Sequence, residues 1–161
     1  MPSSQAPPFP AASHPLAGRT VWLAEDDLIL RRAIAEMLHS WGAATRSWHD
    51  GEGLLDELSD LLSGHRSESL SATALPDTLI SDHRLPGING VQLVDAVQTQ
   101  LQEHGLPLRC LLISGDTAPA EIAQLSASGH DVLAKPFRSE RLLEHLLRDR
   151  PELRDQPTRA A

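Results

Sequence analysis

Five short strand-like segments alternate with five stretches of helical periodicity, and no other feature constrains this chain as much. Thr20-Val21-Trp22-Leu23-Ala24 is continuously apolar, as expected of a strand buried on both faces, and it ends at Glu25-Asp26-Asp27. Leu79-Ile80-Ser81 ends at Asp82, Leu108–Ile113 at Ser114-Gly115-Asp116, and Val132-Leu133-Ala134 at Lys135-Pro136. Ala43–Trp48 is more polar and reads as a strand near an edge.

Between these segments lie apolar stripes at helical spacing. The first is Leu30, Ile34, Met37, Leu38 and Trp41, with Gly42 as its stop. The second is Leu54, Leu55, Leu58, Leu61 and Leu62 behind a capping Asp50; the third is Val91, Val94, Val97 and Leu101, closed by Gly105. Pro119–Ser128 is a short helix with a thin stripe, chiefly Ile122 and Leu125. The last is predicted to be capped by Ser139, with Leu142, Leu143, Leu146 and Leu147 inward and Pro151 as its stop. Ser63–Pro76 is a long, Ser-rich connection. Residues 1–17, rich in Pro, Ala and Ser, read as a disordered lead or linker, 18–150 as one domain, and 151–161 as a polar tail.

The pattern is (βα)5: an α/β doubly wound sheet of parallel strands with helices on both faces. All five strands then point the same way, and their C-terminal ends share the rim where open α/β sheets bind ligands. Glu25, Asp26, Asp82, Ser114 and Lys135 each follow an apolar run, so all fall on that rim. Singly, each is ordinary: an acid after a strand is often a helix cap, and Ser-Gly is turn chemistry. Jointly they describe a site. Three clustered carboxylates repel unless a cation neutralises them, and a hard dication such as Mg²⁺ takes carboxylates, water and phosphate oxygens. An Asp can serve as nucleophile toward phosphorus, with a serine hydroxyl and a lysine point charge for the phosphoryl oxygens.

Composition narrows the partners. Lys+Arg 14 against Asp+Glu 22 gives a net charge of −8, which argues against nucleic acid or an anionic membrane as partner. The single cysteine, Cys110, excludes an internal disulfide. No secretory signal and no run of about 18 apolar residues is present, so a cytoplasmic protein is expected.

Residues 19–148 resemble the response-regulator receiver domain, the phosphoacceptor module of two-component signalling. The segments that carry the likeness are Leu23-Ala24-Glu25-Asp26-Asp27, Ile80-Ser81-Asp82 with Leu85-Pro86-Gly87 and Asn89-Gly90, Ile113-Ser114-Gly115, and Ala134-Lys135-Pro136-Phe137. The resemblance implies a flavodoxin-like sheet of strand order 2-1-3-4-5. It implies Asp82 as phosphorylation site, Asp26 and Asp82 as direct Mg²⁺ ligands, Glu25 acting through water, and the Arg84 backbone carbonyl as a further ligand. Ser114 becomes the switch hydroxyl and Lys135 the partner of the phosphoryl group.

Two positions depart from the family pattern. The acidic pair is Glu-Asp rather than Asp-Asp, and the switch position three before Lys135, usually Tyr or Phe, is Val132. By the same resemblance, Arg84 and Asp116 flank the approach of water to the phosphoryl group and are expected to pair over it and slow its loss. Expected partners are a histidine kinase or histidine phosphotransfer protein, and a downstream protein bound to the face made by Pro119–Ser128, Val132–Ala134 and the last helix. A homodimer is compatible with the resemblance. The Ser114-to-Pro119 and Lys135-to-Leu142 segments look most like receivers attached to hybrid histidine kinases, so a phosphorelay intermediate is an alternative. An Asp-nucleophile phosphohydrolase is the rival from another class; such enzymes carry a second Asp two residues after the nucleophile, where this chain has Arg84. A degenerate receiver acting as a scaffold would be expected to have lost an acid or Lys135. Trp22 and Trp41 read as core aromatics, His83 and His130 as loop residues, and Cys110 as inert.

Overall fold

The computed structural model describes residues 14–64, 75–115 and 119–148. The elements run β1 (Thr20–Ala24), α1 (Leu28–Ser40), β2 (Ala44–Trp48), α2 (Gly51–Leu62), β3 (Thr78–Asp82), α3 (Gly90–Glu103), β4 (Arg109–Ser114), α4 (Pro119–Ala127), β5 (Val132–Ala134) and α5 (Ser139–Leu147). The strands form one parallel sheet in the order β2-β1-β3-β4-β5.

Period-two alternation in the strands sorts the core into two layers. Trp22, Ala24, Leu79, Cys110 and Leu112 face α2, α3 and α4, meeting Leu54, Leu58, Leu93, Val94, Val97, Leu101 and Leu125. Val21, Leu23, Ile80, Leu111, Ile113 and Leu133 face α1 and α5, meeting Ile34, Leu38, Leu142, Leu143 and Leu146. β1 and β3 are buried along their whole length, which requires cover on both faces, whereas β2 is the half-polar edge that its sequence suggests. Cys110 is a buried free thiol.

Three details differ from the sequence reading. The lead does not extend to residue 17, because Leu16 is fully buried in the α1/α5 layer and its N–H donates to the Trp41 carbonyl at 2.8 Å. The turn around it packs against Gly42 (φ +93°), where a Cβ would stand 2.6 Å from the His14 Cβ. α5 begins after Arg138, which makes no side-chain cap bond, and Ser139 is already helical. Leu147 is 46% exposed, because it lies about 100° of helical rotation beyond Leu146, off the buried stripe. Buried His145 faces inward instead, its Nδ1 bonded to Asp131 Oδ1 at 2.8 Å. The long connection at residues 65–74, the lead up to residue 13 and the tail from residue 149 lie outside the described residues.

Candidate functional site

Each site residue is delivered by the end of a strand. β1 hands over Glu25, which is 1% exposed, then exposed Asp26. Asp27 is spent on α1: its Oδ1 accepts the Ile29 and Leu30 N–H groups at 2.9 and 3.2 Å, satisfying donors that a helix start leaves free. Asp82 ends β3 and Ser114 ends β4, both buried. Lys135 follows β5, and its N–H donates to the Ser114 carbonyl at 2.7 Å.

The Lys135 ammonium bridges two of the acids. Nζ lies 3.2 Å from Glu25 Oε2 and 3.4 Å from Asp82 Oδ2. The other Asp82 oxygen, Oδ1, accepts the Arg84 N–H at 3.4 Å. Carboxylate oxygens of Glu25, Asp26 and Asp82 all stand within 4.8 Å of one another. The five residues drawn from four apolar runs thus converge on one rim, as the parallel topology requires.

One ammonium does not neutralise three acids. Burial and the neighbouring Asp82 push the Glu25 carboxyl from its ordinary 4.5 up to about 7, against the pull of Lys135. Burial likewise raises Asp82 above its ordinary 3.8, again opposed by Lys135. Both folded-state values are raised, so between about pH 4.5 and 7 the folded protein binds more protons than the unfolded chain, and its stability falls as pH rises through that window. We expect a loss on the order of 1–3 kcal/mol between about pH 5 and about pH 7.5 in urea unfolding without metal, at about 1.4 kcal/mol per unit. Glu25→Gln should show a clearly smaller loss; an equal loss in both proteins would remove Glu25 as its source.

The loop after Asp82 is closely built. Gly90, the first residue of α3, sits against the Asp82 carbonyl oxygen, where any Cβ would collide with backbone. Its N–H donates to the His83 carbonyl at 2.9 Å, and the His83 N–H to the Ile113 carbonyl at 2.7 Å. The Arg84 guanidinium, 70% exposed, faces Glu121 of α4 at 3.9 Å. Asp116 lies outside the described residues. His83 is a loop residue as expected, but its ring is largely buried and also faces Glu121 at 3.9 Å, a contact that no spacing in the sequence signals. Val132 is half-buried against the α2/α3/α4 layer, so no aromatic ring occupies the switch position. α4 is seated by a single buried residue, Leu125.

The chain is similar in sequence and fold to known response regulators. The C4-dicarboxylate transport transcriptional regulatory protein DctR of Rhodobacter capsulatus is 30% identical over 128 residues, spanning 78% of this chain and 56% of that protein. DctD of Pseudomonas aeruginosa, of the same description, is 29% identical over 129 residues, spanning 80% and 24%. The chain therefore covers about half or less of these curated relatives. The solved chemotaxis response regulator CheY4 of Vibrio cholerae is 26% identical with a TM-score of 0.59, over 80% of this chain and 95% of that one. Residues 21–147 match the family model described as the response regulator receiver domain, and the chain belongs to that family.

Proposed function

We propose that Asp82 is the residue that carries the phosphoryl group in this receiver domain, with Mg²⁺ held by Asp26, Asp82 and the Arg84 backbone carbonyl and with Glu25 acting through water. Receiver domains are the phosphoacceptors of two-component signalling, and the chain has that role. One observation carries the residue-level reading: the Lys135 ammonium lies within 3.5 Å of both Glu25 and Asp82, in a group of three acids whose oxygens lie within 4.8 Å. An all-oxygen donor set with excess negative charge fits a hard dication. The raised Glu25 and Asp82 carboxyls are the electrostatic mark of that excess. Bound there, Mg²⁺ supplies charge neutralisation for phosphoryl oxygens.

The chain's own groups do the rest. An Asp82 carboxylate oxygen forms the bond to phosphorus as the phosphorus–nitrogen bond of a partner's phosphohistidine breaks, and the imidazole leaves with that electron pair. Lys135, beside Oδ2, is positioned for the transferred oxygens, and the Arg84 N–H orients Oδ1. Ser114 is the switch hydroxyl. With Val132 in place of an aromatic, the switch runs without a rotating ring. Arg84 is the tuning residue for phosphoryl lifetime, with Asp116 as its expected counterpart.

The phosphoryl donor is a histidine kinase or phosphotransfer protein, and output passes through the α4-β5-α5 face to a protein partner or a second copy. The thin seating of α4 on Leu125 supports that choice, because the least firmly held element is the easiest to shift. DctR and DctD are transcriptional regulators by description, which gives the hybrid-kinase alternative no support. No helix among the described residues is long and apolar enough to cross a membrane, and a cytoplasmic setting is part of this proposal. Arg84 at the position of a phosphohydrolase's second Asp disfavours that rival.

The metal assignment is tested by intact-mass analysis after treatment with acetyl phosphate. Labelling should vanish in excess chelator. Asp26→Ala should slow it about tenfold or more, and more than Glu25→Gln does. Labelling that persists without divalent cation would sink the assignment.

A further inference from the structure

The loop between β3 and α3, residues 83–89, presents the Arg84 backbone to Asp82, so its shape is part of the site. Its near end is tied to the sheet by the His83 N–H bond to Ile113 and closed onto α3 by the Gly90 N–H bond to His83, and its far tip turns through Gly87 at φ +74°, a conformation that glycine takes without strain. That tip meets α2. Glu52, in the first turn of α2, lays its carboxylate beside Gly87 in the space a side chain there would fill. Glu52 Oε1 accepts the Ile88 N–H at 3.0 Å. The Ile88 side chain covers Gly51, where a Cβ would stand 2.6 Å from Ile88 Cγ1. Asn89 then opens α3 through a capping box with Gln92.

We propose that Glu52 is a positioning residue for the phosphorylation site, acting through this loop. The proposal rests on the reading of Asp82, Asp26 and the Arg84 carbonyl as the cation and phosphoryl site. Glu52 is not a member of the acid group, and its carboxylate lies against Gly87 and Ile88. It holds the far end of a short loop whose near end carries a main-chain ligand and the N–H that orients Asp82. If the tip is released, the Arg84 peptide samples more orientations, and the site must order it again each time a cation binds. An acid in a helix's first turn also favours the helix dipole, but that role requires no contact with Gly87 or Ile88. The two roles separate on substitution: Gln keeps the acceptor oxygen and loses the charge, whereas Ala loses both.

The test uses the whole chain as wild type, Glu52→Ala and Glu52→Gln, with Mg²⁺ alone as the probe in titration calorimetry and Ile88 amide exchange by NMR as a second readout. Glu52→Ala should bind Mg²⁺ about three- to tenfold more weakly and exchange the Ile88 amide faster, while Glu52→Gln stays within about twofold of wild type. Unchanged Mg²⁺ affinity in Glu52→Ala, beside wild-type protein that binds Mg²⁺ and is phosphorylated, overturns the positioning role and leaves the site reading standing. Glu52→Gln behaving like Glu52→Ala assigns the effect to charge and overturns it as well. Wild type that binds no Mg²⁺ overturns both this proposal and the reading beneath it.

Discussion

Asp82→Asn should leave the protein folded and take its phosphorylation to background, the largest functional effect expected of any single substitution here. Asparagine has nearly the shape of aspartate, so the end of β3 and the bond from the Arg84 N–H to the retained oxygen can persist. What disappears is the nucleophile, since a neutral amide oxygen does not displace a phosphoryl group under conditions where a carboxylate does. The Lys135 ammonium faces Glu25 and Asp82 while Asp26 is exposed, and Glu25 is buried at 1% exposure, so neither Asp26 nor Glu25 is placed to substitute. The same change removes a negative charge that raises the Glu25 carboxyl. Metal-free Asp82→Asn should therefore unfold at the same or higher urea concentration than wild type near neutral pH. Mass analysis after acetyl phosphate and Mg²⁺ reads the first effect. If the mutant gains phosphate as fully as wild type does, the phosphorylation site lies elsewhere.

Leu16→Ala should be among the most destabilising substitutions, by about 2–5 kcal/mol, although residue 16 precedes the family match that begins at residue 21. Its side chain is fully buried among Val21, Leu23, Ile34, Leu38 and Leu146, and its N–H holds the end of α1 through the Trp41 carbonyl. Truncation leaves a cavity at the base of the α1/α5 layer, opposite the rim that carries the acids. The urea midpoint should fall with little change in slope, while Asp82 is still phosphorylated in the folded fraction at low temperature. A loss below about 0.5 kcal/mol would mean that Leu16 can leave its pocket at little cost.

Much of the site was legible because it is written at strand ends. A continuous apolar run such as Val21–Ala24 announces burial on both faces, and the residue after it must then emerge at the sheet's edge. Repeating that reading for Asp82, Ser114 and Lys135 puts them on one rim, because βα repeats run parallel. The strand order did not follow from this local pattern; it came with the family resemblance, and the sheet has it. Asp50 was legible as a helix cap because capping is decided within four residues, and its carboxylate accepts the Gly53 N–H. Ser139 meets the same rule on paper, yet α5 begins after Arg138, which makes no side-chain cap bond, and Ser139 is already helical.

The sequence by itself determined the (βα)5 pattern, the two-faced burial of the central strands and the set of acids at their ends, since each depends on residue type and spacing over a few neighbours. Tertiary structure alone decided how those groups pair. Lys135 reaches Glu25 across 110 residues, and Glu52 reaches the Ile88 N–H across 36. Buried His145 is matched to Asp131, and Leu16 leaves a Pro-rich lead to complete a core. A glutamate in a helix's first turn, a histidine on a helix or an isolated leucine reads the same on its own whether it faces solvent or a partner. Only the packing of elements distant in the chain fixes which it meets, because the free energy of burial and pairing belongs to the contact and not to either residue.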